Sequence, residues 1–105
     1  MIRILFFQQN GQPWGCRLSG HAGYAEEGED IVCASVSSAV QLTANMLTEI
    51  FHINADVRSD ENSVSIRLPH GCPSEGVKIL MGLKLHAELL KEDYPKFIQI
   101  KHTEV

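Results

Sequence analysis

Residues 31–51 read Ile-Val-Cys-Ala-Ser-Val-Ser-Ser-Ala-Val-Gln-Leu-Thr-Ala-Asn-Met-Leu-Thr-Glu-Ile-Phe. Val32, Val36, Ala39, Val40, Thr43, Met46, Leu47 and Ile50 recur at spacings of three and four, which predicts an amphipathic helix over 31–51. Asp30 stands where an N-cap belongs. Outward from this helix the period drops to two. Upstream, residues 2–8 are rich in Ile, Leu and Phe, and Trp14, Cys16 and Leu18 alternate with Gly15, Arg17 and Ser19. These are two strands, and Asn10-Gly11 between them predicts a tight antiparallel hairpin. Downstream, residues 53–58 and 63–68 flank the turn cluster Ser59-Asp60-Glu61-Asn62, predicting a second hairpin. Pro73 and Ser74 open another helix, with Leu80, Leu83, Ala87, Leu90 and Tyr94 on one stripe. Pro95 closes it before a last strand at Phe97, Ile98 and Ile100. Paired strands separated by single helices predict an α+β domain over residues 1–105, a mostly antiparallel sheet packed with two helices.

The 105 residues carry 44% apolar side chains and a formal net charge of −4. That composition argues for one globular domain and gives no broad electrostatic reason to bind nucleic acid. No run of the roughly 20 apolar residues that a membrane span needs is evident in the sequence, and residues 1–7 lack the features of a signal peptide. Cys16, Cys33 and Cys72 have no metal-ligand spacing, and in any disulfide scheme one thiol is left over. A cytoplasmic protein with free thiols and no metal or cofactor is the expectation.

Residues 20–30, Gly-His-Ala-Gly-Tyr-Ala-Glu-Glu-Gly-Glu-Asp, read as a loop that Gly20, Gly23 and Gly28 make flexible. It joins His21 to Cys33, and with Asp30 as N-cap Cys33 is the third helical residue. Unpaired N–H groups and the helix dipole favour a thiolate there, while the Asp30 carboxylate opposes it. An imidazole from His21 could take the thiol proton, pair with the thiolate and later protonate a leaving amine. Ser37 lies one turn on, on the same face. Backbone N–H groups of residues 31–34 are candidate donors to an oxyanion. By spacing alone, Cys33 reads more readily as a small buried side chain than as a nucleophile, and Asp30 reads as a cap or as a group orienting His21. Cys72 with His70 is a weaker pair. His52, His86 and His102 form no metal motif, and Trp14 is a candidate interface anchor.

The run Gly20-His21-Ala22-Gly23-Tyr24, continuing through Gly28-Glu29-Asp30-Ile31-Val32-Cys33-Ala34-Ser35-Val36-Ser37, resembles the signature of the Prp family of ribosomal-processing cysteine proteases. Length and element order are similar along the whole chain. The resemblance implies removal of an N-terminal extension from large-subunit ribosomal protein twenty-seven, after a pair of phenylalanines, as a step in ribosome assembly. It implies Cys33 as nucleophile, His21 as general base, Asp30 and Ser37 as supporting residues, a homodimer, and a loop that orders on peptide. A pocket for two aromatic rings is then required, with Tyr24 and Ile31 as candidate contributors. Glu26, Glu27, Glu29 and Asp30 are expected either to attract a basic peptide or simply to keep the loop solvated. The competing readings are a binding module without catalysis and a small-amide or redox thiol enzyme. The absence of a Cys-x-x-Cys pair weighs against redox work.

Overall fold

The computed structural model describes residues 1–21, 23 and 30–104. Its elements follow the expected order: β1 (Ile2–Gln9), β2 (Gln12–Ser19), α1 (Ile31–Asn45) continued by a π-helical turn (Met46–Ile50), β3 (Asp56–Ser59), β4 (Ser63–Arg67), α2 (Ser74–Asp93) and β5 (Ile98–Glu104). One five-stranded sheet, ordered β3-β4-β2-β1-β5, carries both helices on one face. All neighbouring strands are antiparallel except β1 and β5, which the α2 crossover leaves parallel. Asn10 and Gly11 both take positive φ, 54° and 77°, as a two-residue turn of matching twist demands.

Strand alternation decides which face is covered. Ile2, Ile4 and Phe6 of β1, with Leu18, Ile66 and Ile98 beside them, are buried against Val32, Val36, Val40 and Leu47 of the first helical segment and Leu80, Leu83 and Ala87 of α2. The intervening residues of β1, Arg3, Leu5 and Phe7, point to the other face, which no helix among the described residues covers. The structure is therefore two layers deep.

Three local readings change. The helix expected over 31–51 widens to a π-turn after Asn45. The Thr43 and Thr48 hydroxyls donate to the Ala39 and Ala44 carbonyls at 2.8 and 3.0 Å, and the Phe51 N–H reaches back to the Met46 carbonyl. The strand expected from 53 begins at Asp56, because Ile53 is buried and its N–H donates to the Leu47 carbonyl. In β2 the alternation fails at Trp14. Phe7 pairs with Gly15 but Gln8 pairs with Pro13, so Trp14 is the extra residue of a bulge. Its ring stacks on Phe7, with centroids 5.3 Å apart, on the uncovered face.

The expectation about membrane-length segments also needs amending. Residues 31–50 form a continuous helix of mean hydropathy 1.3, long and apolar enough to cross a bilayer by those measures alone. Val32, Val36, Val40, Thr43 and Leu47 pack on the sheet instead, which is what the core helix of a two-layer domain does.

Candidate active site

Asp30 is the N-cap of α1. With φ −78° and ψ 102° it leaves the helix, and its Oδ1 accepts the Val32 and Cys33 N–H groups, each at 3.0 Å. Cys33 is thereby fixed as the third helical residue, half-buried at the helix mouth. Satisfying this end has a cost for one expectation. The Ala34 N–H also donates, at 3.0 Å, to the Asp30 carbonyl. Of the N–H groups of residues 31–34, expected to serve an oxyanion, those of 32–34 are thus already engaged with Asp30.

His21 is held from the opposite side, at the end of β2. Gly20 has φ +85°, and a Cβ there would lie 2.4 Å from the Met1 carbonyl oxygen, so only glycine fits. The Gly20 N–H donates to the Asn62 carbonyl at 3.3 Å, and the Met1 ammonium donates to the His21 carbonyl. The position of His21 thus depends on the start of β1 and on the β3–β4 turn. Gly23 also takes a positive φ, 72°. Gly28, Tyr24, Glu26, Glu27 and Glu29 lie outside the described residues.

His21, Cys33 and Ser37 line one cleft of about 470 Å³ between α1 and the β3–β4 hairpin. Leu18, Val36, Val40, Val57 and Val64 give it an apolar lining, and Ser37, Gln41, Ser59 and Asn62 add neutral polar groups. Sequence reasoning missed the hairpin wall. The α1 side was legible, since Cys33, Ser37, Val40 and Ala44 follow helical spacing, but nothing local shows that Val57 and Val64 stand opposite them. The hairpin turn is braced by Asp60. Its carboxylate accepts the Asn62 and Ser63 N–H groups, each at 2.8 Å, and the Ser63 hydroxyl at 3.1 Å. These bonds, the Asn62 N–H foremost, hold its pKa below the ordinary 3.8.

The other candidates separate cleanly. Ile31, expected near an aromatic pocket, is 51% exposed and does not line the cleft. Cys16 is fully buried in β2, and desolvation pushes its thiol up to about 12, partly offset by a hydrogen bond with the Ile66 backbone. Cys72 packs beside Gly76 at the start of α2, away from the cleft. His102 stacks on Phe6, while His52 and His86 are exposed. Among the described residues no group of three His, Cys, Asp or Glu side chains could hold a metal ion.

A half-buried thiol on the first turn of a capped helix, sharing a cleft with a histidine on an α+β scaffold, is the arrangement of a thiol hydrolase. A sequence model of the family described as "Cysteine protease Prp" matches residues 1–99, and the chain belongs to that family. The fold is similar to that of SMU.848 from Streptococcus mutans, at 27% identity and a TM-score of 0.87 over 100% of this chain and 96% of that one. It is also similar to the essential ribosomal processing protease Prp from S. aureus in complex with a covalently linked product peptide, at 24% identity and 0.92 over 98% and 100%. The same protease in complex with a substrate peptide gives 23% and 0.86 over the same shares. No curated protein matches the sequence.

Proposed function

We propose that this protein is a cytoplasmic endopeptidase, active as a homodimer, that removes an N-terminal extension from large-subunit ribosomal protein twenty-seven after a Phe-Phe pair. The observation that carries the reading is the shared cleft, with Cys33 at the mouth of α1 and His21 at the end of β2. His21 takes the proton of the Cys33 thiol, and the thiolate attacks the scissile carbonyl carbon. The C–N bond breaks as the imidazolium protonates the leaving amine. Water, deprotonated by the same imidazole, then opens the thioester and frees the new carboxylate. The covalently linked product peptide of the S. aureus relative supports such a covalent route.

The supporting residues divide the remaining work. Asp30 holds Cys33 on the first turn by capping it. With the N–H groups of residues 32–34 committed to that cap, the Ser37 hydroxyl and the Gln41 amide are neutral donors on the α1 wall of the cleft. The apolar lining of Val36, Val40, Val57 and Val64 suits aromatic side chains. Dimer formation is supported by α2, whose outer side exposes Met81, Leu85 and Leu89.

The test is mass spectrometry of a Phe-Phe peptide incubated with the protein and with its Cys33→Ala and His21→Ala variants. Cleavage after the pair, with a loss of at least about 100-fold in either variant, is expected. Full cleavage by Cys33→Ala would remove the thiol mechanism, and no cleavage by the parent beside intact peptide binding would favour the binding module.

A further inference from the structure

The net charge of −4 conceals a segregation of charge. Cross-strand register puts every arginine of the chain on the sheet face that the helices leave bare. Lys101, Leu5, Arg17, Ser65 and Arg58 lie side by side in one row across the strands. Arg67 falls in the next row beside Gly15 and Phe7, and Arg3 in the row on the other side, beside Ser19. Arg3, Arg17, Arg67 and Lys101 are all exposed. Three acids border them and offset part of this charge: Asp56 stands opposite Arg67 in the register, and Asp60 and Glu61 share a hollow with Arg17, while Arg3 and Lys101 lie beside neutral residues. Asp56 is paired with Arg58 at 3.0 Å, and Asp60, at the border near Arg17, is bound into its own turn. A shallow hollow of about 330 Å³ is bounded by Arg3, Leu5, Arg17, Gln99 and Lys101.

The same face carries an aromatic platform. Trp14 stacks on Phe7 at 25° between ring planes, and the Arg67 guanidinium lies 5.3 Å from the Phe7 centroid. Gly15 makes the arrangement possible, since a Cβ there would sit 3.3 Å from the Phe7 ring and 2.9 Å from the Ile66 carbonyl.

We propose that the bare sheet face binds single-stranded RNA, with Arg3, Arg17, Arg67 and Lys101 on phosphates and the Trp14–Phe7 pair as a stacking surface for bases. Two strand spacings, about 10 Å, separate Lys101 from Arg17, so the cations track an extended backbone rather than grip one anion. Half-buried rings beside guanidinium groups suit unstacked bases; a duplex keeps its bases inside, and the Asp and Glu side chains of an acidic peptide offer no extended π-face to the rings. The half-buried Ser19, Ser65, Gln99 and Thr103 supply hydrogen-bonding partners for 2′-hydroxyls. Ser19 borders both this face and the cleft, so a bound strand runs beside the cleft. This assignment is independent of the proteolytic reading.

Trp14, the sole tryptophan, is a built-in reporter. Titration of the full chain with an oligouridine of about twelve nucleotides should quench its fluorescence. Affinity should fall roughly 50-fold between about 50 and about 200 mM salt, as expected for four phosphate contacts on a single strand. The Arg17→Gln/Lys101→Gln variant should reduce that fall to roughly sevenfold and weaken binding at low salt, with peptide cleavage unchanged. Absence of quenching at low salt overturns the proposal. So does equal binding by the double variant, equal or tighter binding of single-stranded DNA of the same length, or full displacement of the RNA by polyglutamate at equal charge concentration.

Discussion

Asp30 exerts two opposing effects on the residue three positions on. Its carboxylate satisfies the Val32 and Cys33 N–H groups and so fixes the first turn, yet it places a negative charge beside the thiol proposed as the nucleophile, which acts as an anion. Substitution separates the two. Asp30→Ala loses the cap and should cost about 1 kcal/mol of stability, read as a lowered midpoint in urea. Asp30→Asn keeps an acceptor and removes the charge, so stability should hold while iodoacetamide labels Cys33 faster than in the parent at neutral pH. Slower labelling by the Asn variant would mean that the carboxylate assists the thiolate, as it would by orienting His21. The labelling is read in a Cys72→Ser background, because Cys72 is half-buried like Cys33, and the remaining competitor is sealed. Cys16 is fully buried, and its pKa of about 12 keeps it protonated at any pH used for alkylation. Cys33 was legible in the sequence as a candidate because its surroundings are local. Asp30, Cys33 and Ser37 belong to one helix start, where capping chemistry and helical spacing determine the arrangement. His21 became part of the same site only through Gly20 and its contacts with Met1 and Asn62, which are remote in sequence.

The β3–β4 hairpin shows why the elements were legible and the cleft was not. Alternation in Val64, Ile66 and Leu68 and the turn residues Asp60 and Asn62 are enough to predict a hairpin, but its placement opposite α1 comes from β4 pairing with β2. The same limit hid the π-turn and the late start of β3, since burial of Ile53, not local propensity, bends the chain there. The hairpin is also the element whose integrity should govern substrate capture. Asp60 gathers three hydrogen bonds at its turn, and the Asn62 carbonyl next to them receives the Gly20 N–H. Asp60→Ala should therefore raise KM for a Phe-Phe peptide several-fold while leaving kcat close to the parent value. The pH dependence has a definite sign. A carboxylate whose pKa is held below 3.8 stabilises the turn above that pH and loses the contribution as pH falls through the lowered value. Amide exchange at Asn62 and Ser63 should be faster in Asp60→Ala than in the parent at pH 6, and the difference should close in acid. Equal exchange at pH 6 would mean that the turn stands without this carboxylate.

At the scale of the molecule, a two-layer fold leaves two broad surfaces, the bare sheet and the outer side of the helices, and they differ in kind. The sheet face is cationic; α2 presents Lys78, Met81, Leu85, Leu89 and Glu92, with the three apolar members at least half exposed. The intervals between these residues are symmetric about Leu85, so two copies of α2 laid antiparallel across a twofold axis would bring Met81 against Leu89 and Lys78 against Glu92 of the partner subunit. Opposite charges at the ends and apolar contacts at the centre make the stripe complementary to itself. One helix is too narrow for the roughly 800 Å² per partner of a specific dimer, so the proposed interface would have to extend over the groove towards α1, where Leu42 is 64% exposed. Leu85→Glu, at the axis, should weaken dimerisation by about 2 kcal/mol or more, roughly 30-fold in Kd by sedimentation equilibrium, without lowering thermal stability of the monomer. Lys78→Glu and Glu92→Lys should each weaken the dimer, and the double exchange should recover it, because only the order of the end charges is reversed. A parent protein monomeric at tens of micromolar would remove the homodimer itself. A Leu85→Glu protein as dimeric as its parent would instead move the interface off α2.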